Sequence, residues 1–425
     1  MKSWASLLTL LLLPTNLLAR ETVLVKYDEL PQRVQKNSKE VKAAEFLKEA
    51  SAARQGYQAR ARYPKLDLES GLRGVREVDG SGESAPFFKV EGSVNLYRGN
   101  RDALKDTLQD KETAIRSEEA QLVFRNQLGL AREIFVKLAS VRELKNAWTE
   151  AVQVASAKKK SSRVKVNAGL TTNTDLLEFE LHEAALKREK RNLDKEEHEL
   201  SNKLRILLGL PEDANISLDR AFAHPPEPKE GDYKLAAGTH PAVRKLSLQA
   251  EQAQMIAGSS VTQWTPDVNL FASYEEFLQG TQEEPGSLPK RDFAAGIRLS
   301  IPLGDNLSVQ NEASAKRLEA SAYELQKQHS TQQIEAVYHE HLHDMKVLHD
   351  LIHDSDEQLQ KARKYLKQTS EEYERGVRSG ADVLEASRTL YRTQVENIQL
   401  VFDYYLAELA LRRLTSNEQH TAPAS

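Results

Sequence analysis

Two very long stretches of the chain contain no proline and almost no glycine, and they constrain the fold more than any other feature. The first runs from about Asn100 to Ala168 with one glycine, Gly129, and the second from about Leu307 to Arg375 with none. At 1.5 Å per residue, each stretch would form a helix about 100 Å long. Helices of this length are typical of coiled coils rather than of ordinary globular domains.

The segments that follow these runs show the apolar spacing of a left-handed coiled coil. In one segment leucines recur every seven residues, and in the other apolar residues alternate spacings of four and three. The first set is Leu186, Leu193, Leu200 and Leu207; the second is Tyr391, Val395, Ile398, Phe402, Tyr405 and Leu409. Each long helix is therefore predicted to turn back into a second long helix.

The chain is a duplication of one plan. Three motifs occur twice in the same order: "RYPKLDLESGLRG" (62–74) with "WTPDVNLFASYEE" (264–276), "VNLYRGN" (94–100) with "LSIPLGD" (299–305), and "GLTTNTDLLE" (169–178) with "GVRSGADVLE" (376–385). Repeats of this kind are one supersecondary unit used twice. The predicted unit is a helix, two strands, a long helix and a second long helix.

The repeat boundaries and the predicted elements follow from this plan. We expect a signal peptide at 1–19, a first repeat at 20–210, a linker at 211–238, a second repeat at 239–415 and a flexible tail at 416–425. Predicted strands lie at about 64–74, 88–97, 266–276 and 291–301. Predicted long helices lie at about 100–168, 172–209, 307–375 and 380–415.

The four predicted strands alternate apolar and charged residues, so each has two unlike faces. Leu66, Leu68 and Leu72 share one face of the first strand, for example, and Lys65, Asp67 and Glu69 share the other. Such strands suit either a soluble sandwich or a membrane barrel. The dense charges on one face and the aromatic residues near the strand ends favour the barrel. Those aromatic residues are Tyr63, Phe87, Phe88, Tyr97, Trp264, Tyr274 and Phe277.

Four strands cannot close a barrel, for which about eight is the practical minimum. Open sheet edges are not tolerated in lipid, because their backbone groups would lack hydrogen-bond partners. If these strands span a membrane, several chains must share one barrel.

The composition limits the compartment and the partners. An apolar run from Leu7 to Leu18 follows Lys2 and precedes Ala19, which is the pattern of a secretory signal peptide. The chain has no cysteine, so disulfides and a lipid-modified cysteine are excluded. With 29% charged residues and a net charge of only −4, nucleic acid is not an expected partner.

The stretch "VYHEHLHDMKVLHDLIHD" (337–354) matches the H-E-x-x-H pattern of zinc proteases at His339, Glu340 and His343. The longer pattern with a third histidine needs a glycine where this chain has Lys346, in the middle of a predicted helix. A catalytic zinc is therefore disfavoured. His339, His343, His349 and His353 stay weak metal candidates, and a solvated helix face is the simpler interpretation.

The duplicated plan, the junctions "NLYRGN" and "SIPLGD", and the turns "VNAGLTTNTDLLE" and "YERGVRSGADVLE" resemble the TolC family of outer-membrane efflux channels. The resemblance implies a mixed α/β membrane protein that forms a homotrimer. Four strands per chain would build a 12-stranded β-barrel, and the coiled-coil helices would continue it as an α-helical barrel across the periplasm. The implied partners are a periplasmic adaptor protein, an inner-membrane transporter and outer-membrane lipid.

The resemblance also implies site residues at the two helix turns, which would form the periplasmic entrance. Tyr373 and Arg378 would tether neighbouring helix pairs through Thr174 and Asp175, while Asp382 and Glu385 would face the axis as a constriction. Because Asp382 and Glu385 are three residues apart they share a helix face, and rings of acids favour cations. Asp382 could instead cap its helix, and the two roles are compatible. The turn glycines would be Gly169 and Gly376, and the strand-to-helix junctions would use Gly99, Pro302 and Gly304.

The expected function is a passive exit duct of a tripartite efflux or type I secretion system, with no enzyme activity and no cofactor. The basic run "KKKSSRVKV" (158–166) would contact an adaptor protein or form a solvated helix face. Two alternatives stay open at this point. One is a periplasmic coiled-coil scaffold with a soluble β-domain; the other is a zinc metalloprotease. The sequence does not identify the cargo.

Overall fold

A computed structural model of the chain describes residues 22–76, 82–219, 222–229, 231, 233, 235, 237–259, 265–277, 291–301 and 306–415. The predicted signal peptide and the predicted tail from 416 onward lie outside these residues.

Fourteen numbered elements follow one another in chain order. They are β1 (Thr22–Val25), α1 (Leu30–Asn37), α2 (Lys39–Ala52), α3 (Tyr57–Ala61), β2 (Lys65–Arg76), β3 (Gly82–Tyr97), α4 (Arg101–Asn167), α5 (Asn173–Leu208), β4 (Asn215–Leu218), α6 (Pro241–Gly258), β5 (Asp267–Phe277), β6 (Arg291–Ser300), α7 (Asn306–Glu374) and α8 (Gly380–Leu414). The duplicated order of two strands, a long helix and a second long helix is present in both repeats.

The long strands form one antiparallel sheet in the order β2-β3-β5-β6, so the two repeats meet at the β3–β5 pair. Strands β2 and β6 are its edges, and neither edge is paired within the described chain. The strand predicted at 88–97 begins earlier, at Gly82, and pairs with β2 as far as Arg76. The residues "GESAP" (82–86) were predicted to form a turn, but their pairing with β2 outweighs their local preference for a turn.

The apolar face of this sheet is open. Leu66, Leu68 and Leu72 on β2 are more than two-thirds exposed, as are Phe293 and Ile297 on β6. No described element packs over them. A soluble sandwich would bury such a face, and an exposed apolar surface of this kind marks contact with a membrane or another protein.

The opposite face carries paired charges. Arg298 and Lys89 both contact the Glu91 carboxylate, at 3.1 and 2.7 Å, and Arg73 pairs with Glu275. The Phe87 and Phe277 rings are buried on this charged face, with the Arg73 guanidinium 4.4 Å from the Phe87 ring centre. The interpretation of these two rings as part of an interfacial girdle is therefore wrong. Tyr63 and Tyr97 are exposed, as a girdle requires, and Trp264 lies outside the described residues.

The main hydrophobic core lies midway along α4 and α7 and at the C-terminal ends of α5 and α8. It joins α1, α4, α5, α7 and α8, with Phe135, Leu138, Leu204 and Leu411 fully buried. The short strands β1 and β4 pair in parallel beside it, from Thr22–Asn215 to Val25–Leu218. Strand β4 lies inside the segment predicted as linker, so that segment belongs partly to the first repeat. Four-residue strands carry too little alternation to be found from sequence.

The rest of the linker is fastened to the helices by tyrosines. The Tyr404 and Tyr405 hydroxyls donate to the carbonyl oxygens of Pro226 and Ala223 at 2.8 and 2.9 Å. The Tyr338 hydroxyl donates to the Tyr233 carbonyl at 2.7 Å. The connection between the repeats is thus held against α7 and α8. Among the described helices, none combines the length and the apolar composition needed to cross a bilayer.

Candidate functional site

The two helix hairpins, α4–α5 and α7–α8, end in the same turn. Gly169 and Gly376 adopt φ values of 70° and 80°, a left-handed conformation that glycine takes without steric cost. The following amides, of Leu170 and Val377, donate back to the carbonyls of Lys165 and Glu372 at 2.8 and 2.9 Å. This is the hydrogen-bond pattern of a helix terminated by a glycine. Both predicted turn glycines therefore lie where the helices end.

Each returning helix starts with a capping box. In α5, Asp175 accepts a hydrogen bond from the Thr172 amide at 3.3 Å, and the Thr172 hydroxyl accepts one from the Asp175 amide at 3.2 Å. In α8, Asp382 accepts from the Ser379 amide and hydroxyl at 2.9 and 2.8 Å. These bonds satisfy backbone donors that a helix start leaves unpaired. The Ser379 bonds also hold the pKa of the Asp382 carboxyl below its usual value.

The two turns pack against each other through a small cluster of buried side chains. Phe179 of α5, Tyr373 of α7 and Val383 and Leu384 of α8 form it, with the Phe179 and Tyr373 ring centres 6.2 Å apart. A side chain at Gly380 would come within 3.2 Å of Phe179 and 3.4 Å of Asp175. The absence of a Cβ at Gly380 therefore allows the start of α8 to approach α5.

The four residues of the predicted tethering network do not form it within one chain. The Arg378 guanidinium donates to Glu372 at 3.2 Å and lies 3.8 Å from Asp382. The Tyr373 hydroxyl is buried and has no hydrogen-bond partner among the described residues. Thr174 is exposed, and Asp175 is engaged in its own capping box. A tether between subunits through these residues stays a prediction.

A different residue joins the two hairpins. The Lys165 ammonium, in the last turn of α4, lies 2.9 Å from the Glu374 carboxylate and 4.0 Å from the centre of the Tyr373 ring. It also donates to the Tyr373 carbonyl at 3.4 Å, and Lys158 approaches Glu374 at 3.7 Å. The Lys165 hydrogen bond lowers the pKa of Glu374. Sequence reasoning missed this tie because the partners are 209 positions apart.

Several basic side chains of the run 158–166 form ion pairs within the chain. Besides the tie to Glu374, Lys159 pairs with Glu183 and Arg163 pairs with Glu180 across the α4–α5 hairpin. Glu183 lies between Lys159 and Lys187, with its side chain only 7% exposed. The Lys159 hydrogen bond, then that of Lys187, lower its pKa to about 2.

Replacing Glu183 by glutamine is expected to destabilise the α4–α5 hairpin at neutral pH by about 1–2 kcal/mol per chain, after allowance for solvent screening. The pKa of the carboxyl falls from 4.5 to about 2 on folding. Its contribution is therefore complete above the unfolded value and is lost as the pH falls from 4.5 to about 2. Chemical denaturation followed by circular dichroism at pH 7 and pH 3 measures this difference.

Glu180→Gln is the matched control for Glu183→Gln, since Glu180 pairs with an Arg163 side chain that is largely exposed. Its expected cost is below about 0.5 kcal/mol, as for most exposed ion pairs. An equal loss of stability in both variants, or a Glu183→Gln effect that persists unchanged at pH 3, would contradict the assignment.

The remaining predicted site residues are placed as follows. Glu385 is exposed on α8, 4.0 Å from Arg388. Gly99 lies between β3 and α4 with φ 58°, and a Cβ there would overlap the Thr265 side chain. Its counterparts Pro302 and Gly304 lie outside the described residues.

The histidines of 337–354 lie on one unbroken helix, α7. Its buried side is formed by Tyr338, Leu342, Met345 and Ile352. His339, His343 and His353 are exposed, and the half-buried His349 contacts the ring of His224. Within the described ranges, no group of three or more ligating side chains is arranged to hold a metal. Helix α7 continues through Lys346, so the turn that the longer protease pattern requires is absent.

Long paired hairpins that continue from an amphipathic sheet are the fold of several solved outer-membrane channels. Solved structures with this fold include VceC of Vibrio cholerae, at 16% identity and a TM-score of 0.74 over 91% of this chain and 94% of that one. CmeC of Campylobacter jejuni matches at 15% identity and a TM-score of 0.75 over 91% and 85% of the two chains. MtrE of Neisseria gonorrhoeae, in its open state, matches at 14% identity and a TM-score of 0.71 over 93% of this chain and 90% of that one.

Residues 233–417, which include the second repeat, match the model of the outer membrane efflux protein family. No curated protein matches the chain by sequence. The helix-rich fold with a small antiparallel sheet that the resemblance to the TolC family implied is confirmed. The match of residues 233–417 to outer membrane efflux proteins agrees with the predicted outer-membrane location and with the predicted function of an efflux channel. Proteins of this family are channels rather than enzymes, and they work with adaptor and pump partners.

Proposed function

We propose that three copies of this chain form one duct that carries substrates passively across the outer membrane. The observation that carries this proposal is the sheet: its apolar face is uncovered and both of its edges are unpaired within the described chain. Three such sheets joined edge to edge would give 12 strands and leave no open edge, which is what a bilayer demands. Strands of 10 to 16 residues are long enough to cross it.

The helical part supports the same proposal. Helices α4 and α7 contain 67 and 69 residues, so each extends about 100 Å from the sheet. Helices α5 and α8, with 36 and 35 residues, return over about half of that distance. Three copies of α4, α5, α7 and α8 would form a 12-helix tunnel. Its far end would be built from the turns at Gly169 and Gly376. A periplasmic adaptor joined to an inner-membrane transporter would deliver substrates there, either as an efflux or as a type I secretion system.

At that end, Asp382 and Glu385 are proposed as a constriction that selects cations. Glu385 is exposed in the single chain. Asp382 is half-buried, with its side chain 38% exposed, and it keeps one oxygen outside its capping box. Three-fold symmetry would stack them as two acidic rings, which attract cations at close quarters. The lowered pKa of Asp382 keeps this residue charged into the acid range.

Single-channel conductance of the detergent-purified protein in a planar bilayer tests the proposal. We expect a small cation-selective conductance. In Asp382→Asn plus Glu385→Gln, the cation preference should fall by roughly half or more, because the fixed negative charge is removed. Glu340→Gln plus Asp354→Asn is the matched control: it removes two exposed carboxylates of α7 and should leave selectivity unchanged.

Unchanged selectivity in the Asp382 and Glu385 variant would move the constriction elsewhere and leave the channel intact. A protein that is soluble without detergent, does not form trimers and does not conduct would instead support a periplasmic scaffold. These outcomes separate the channel proposal from the constriction proposal.

A further inference from the structure

A polar hollow lies at the foot of the sheet, where the strands end and the helices begin. It has a volume of about 210 Å³ and is walled by α3, by the end of β3 and by the start of α4. Two hydrogen bonds hold its walls together. The side-chain amide of Asn95 donates to the Ala61 carbonyl at 3.2 Å, and the backbone amide of Gln58 donates to the Asp106 carboxylate at 3.1 Å. The hollow is therefore part of the folded chain and not a gap between loose segments.

Two arginines line the hollow, and their hydrogen-bond donors are largely uncommitted. Arg62 is exposed, and its guanidinium makes no hydrogen bond or ion pair with the described residues. The Arg98 Nε atom is buried without a hydrogen-bond partner among them. The carboxylates nearest to Arg98 are those of Asp102 and Asp267, each at 3.9 Å, which is beyond hydrogen-bond distance.

The charge balance of the lining favours an anion. Among the lining residues, Arg62 and Arg98 outnumber the single carboxylate, that of Asp102. Two neighbouring carboxylates are not in the lining: Asp267 pairs with Arg101, and Asp106 accepts a hydrogen bond from the Gln58 backbone amide. Guanidinium groups form forked hydrogen bonds that match the oxygens of phosphate and carboxylate. The hollow has the volume of about seven water molecules. It is large enough for the phosphate group of a phosphodiester and the atoms bonded to its ester oxygens, but not for an acyl chain.

Exposed apolar side chains adjoin the hollow on the open face of the sheet. Leu96 and Tyr97 both line it and are more than half exposed, and Tyr63 and Leu66 are exposed at the start of β2 beside Arg62. Tyrosines at this level are typical of the boundary between headgroups and acyl chains. A ligand with a phosphate group and a hydrocarbon chain would match both surfaces, with the phosphate in the hollow and the hydrocarbon against these apolar side chains.

We propose that this hollow binds the phosphate of an anionic phospholipid in the periplasmic leaflet of the outer membrane. The proposal rests on the proposed function, because it needs the strands to cross that membrane. Arg62 and Arg98 hold the phosphate oxygens, and the lipid chains lie against Leu66 and Leu96. Each copy of the chain carries one such site.

Native mass spectrometry of the detergent-purified trimer, titrated with phosphatidylglycerol, tests this. The wild type should retain up to three lipids per trimer. Arg62→Gln should weaken retention by roughly fivefold or more, since one forked contact is lost. Arg98→Gln should weaken it at least as much. Arg54→Gln, which alters an exposed arginine of the same region outside the hollow, should bind like the wild type.

Two results would overturn the proposal. One is equal phosphatidylglycerol retention in Arg62→Gln, Arg98→Gln and the wild type. The other is stabilisation of the wild type by inorganic phosphate alone as strongly as by the lipid, which would indicate a free-anion site. Conductance of the same preparations keeps the two proposals apart: an Arg62→Gln trimer that conducts normally and loses lipid supports both, whereas a wild type without conductance refutes the channel itself.

Discussion

Replacing Leu68 by arginine is expected to abolish assembly of the protein in the outer membrane. Leu68 lies on the apolar face of β2, and in the single chain it is 69% exposed. An arginine on the lipid face of a membrane strand costs about 2–4 kcal/mol near the midplane and about 0–1 kcal/mol near an interface. Leu68 is the fourth of the 12 residues of β2 and lies between these depths, so a cost of about 1–2 kcal/mol per chain gives about 3–6 kcal/mol per trimer. The amount of trimer in isolated outer membranes, measured by electrophoresis without heating, reports this loss.

Asp67→Arg is the control for Leu68→Arg. It introduces the same side chain at the neighbouring position, but on the charged face, where its register partner is Glu91. Trimer yield should stay within about a factor of two of the wild type, because the new charge faces water and an opposite charge. Equal loss in both variants, or normal assembly of Leu68→Arg, would refute the assignment of the apolar face to lipid.

Reversing the charge of Glu374 is expected to favour the open state of the proposed periplasmic entrance. Glu374 is held by Lys165 at 2.9 Å and by Lys158 at 3.7 Å, and this tie joins the two hairpins. Since Glu374 is 47% exposed, its loss is worth only about 0.5–1 kcal/mol per chain. Three copies give about 1.5–3 kcal/mol, which shifts the ratio of open to closed channels by about ten- to a hundredfold. Channel conductance in planar bilayers should rise accordingly in Glu374→Lys.

The swapped pair Lys165→Glu plus Glu374→Lys should restore low conductance, because the ion pair is rebuilt with reversed polarity. Glu371→Lys is the matched control, since Glu371 is exposed one turn earlier and its carboxylate has no partner among the described residues. The effect of Glu374→Lys should also shrink at high salt, which screens exposed charges. A swapped pair that conducts like the single variants would exclude the tie as a latch.

The candidate site was only partly predictable. The turn glycines and the possible cap at Asp382 could be found locally, because a left-handed glycine and a Ser-x-x-Asp start are encoded within a few residues. The partner of Lys165 could not be found from the sequence, since nothing near Lys165 distinguishes Glu374 from the other acidic residues close to Glu374. The resemblance placed the tether on Tyr373 and Arg378, yet within this chain Arg378 turns to Glu372.

Across the whole fold, features encoded within one segment could be predicted from the sequence, whereas contacts between distant segments could not. Period-two alternation determined which residues of β2, β3, β5 and β6 share a face. Runs without proline and with almost no glycine determined α4 and α7, and the heptad spacing of apolar residues determined α5 and α8, because each of these patterns is a property of one segment. Only the folded chain decided that the apolar face stays uncovered, that Phe87 and Phe277 lie on the charged face and that β1 pairs with β4. Those features depend on which distant segments meet, and the packing of distant segments is a property of the whole chain rather than of any one stretch.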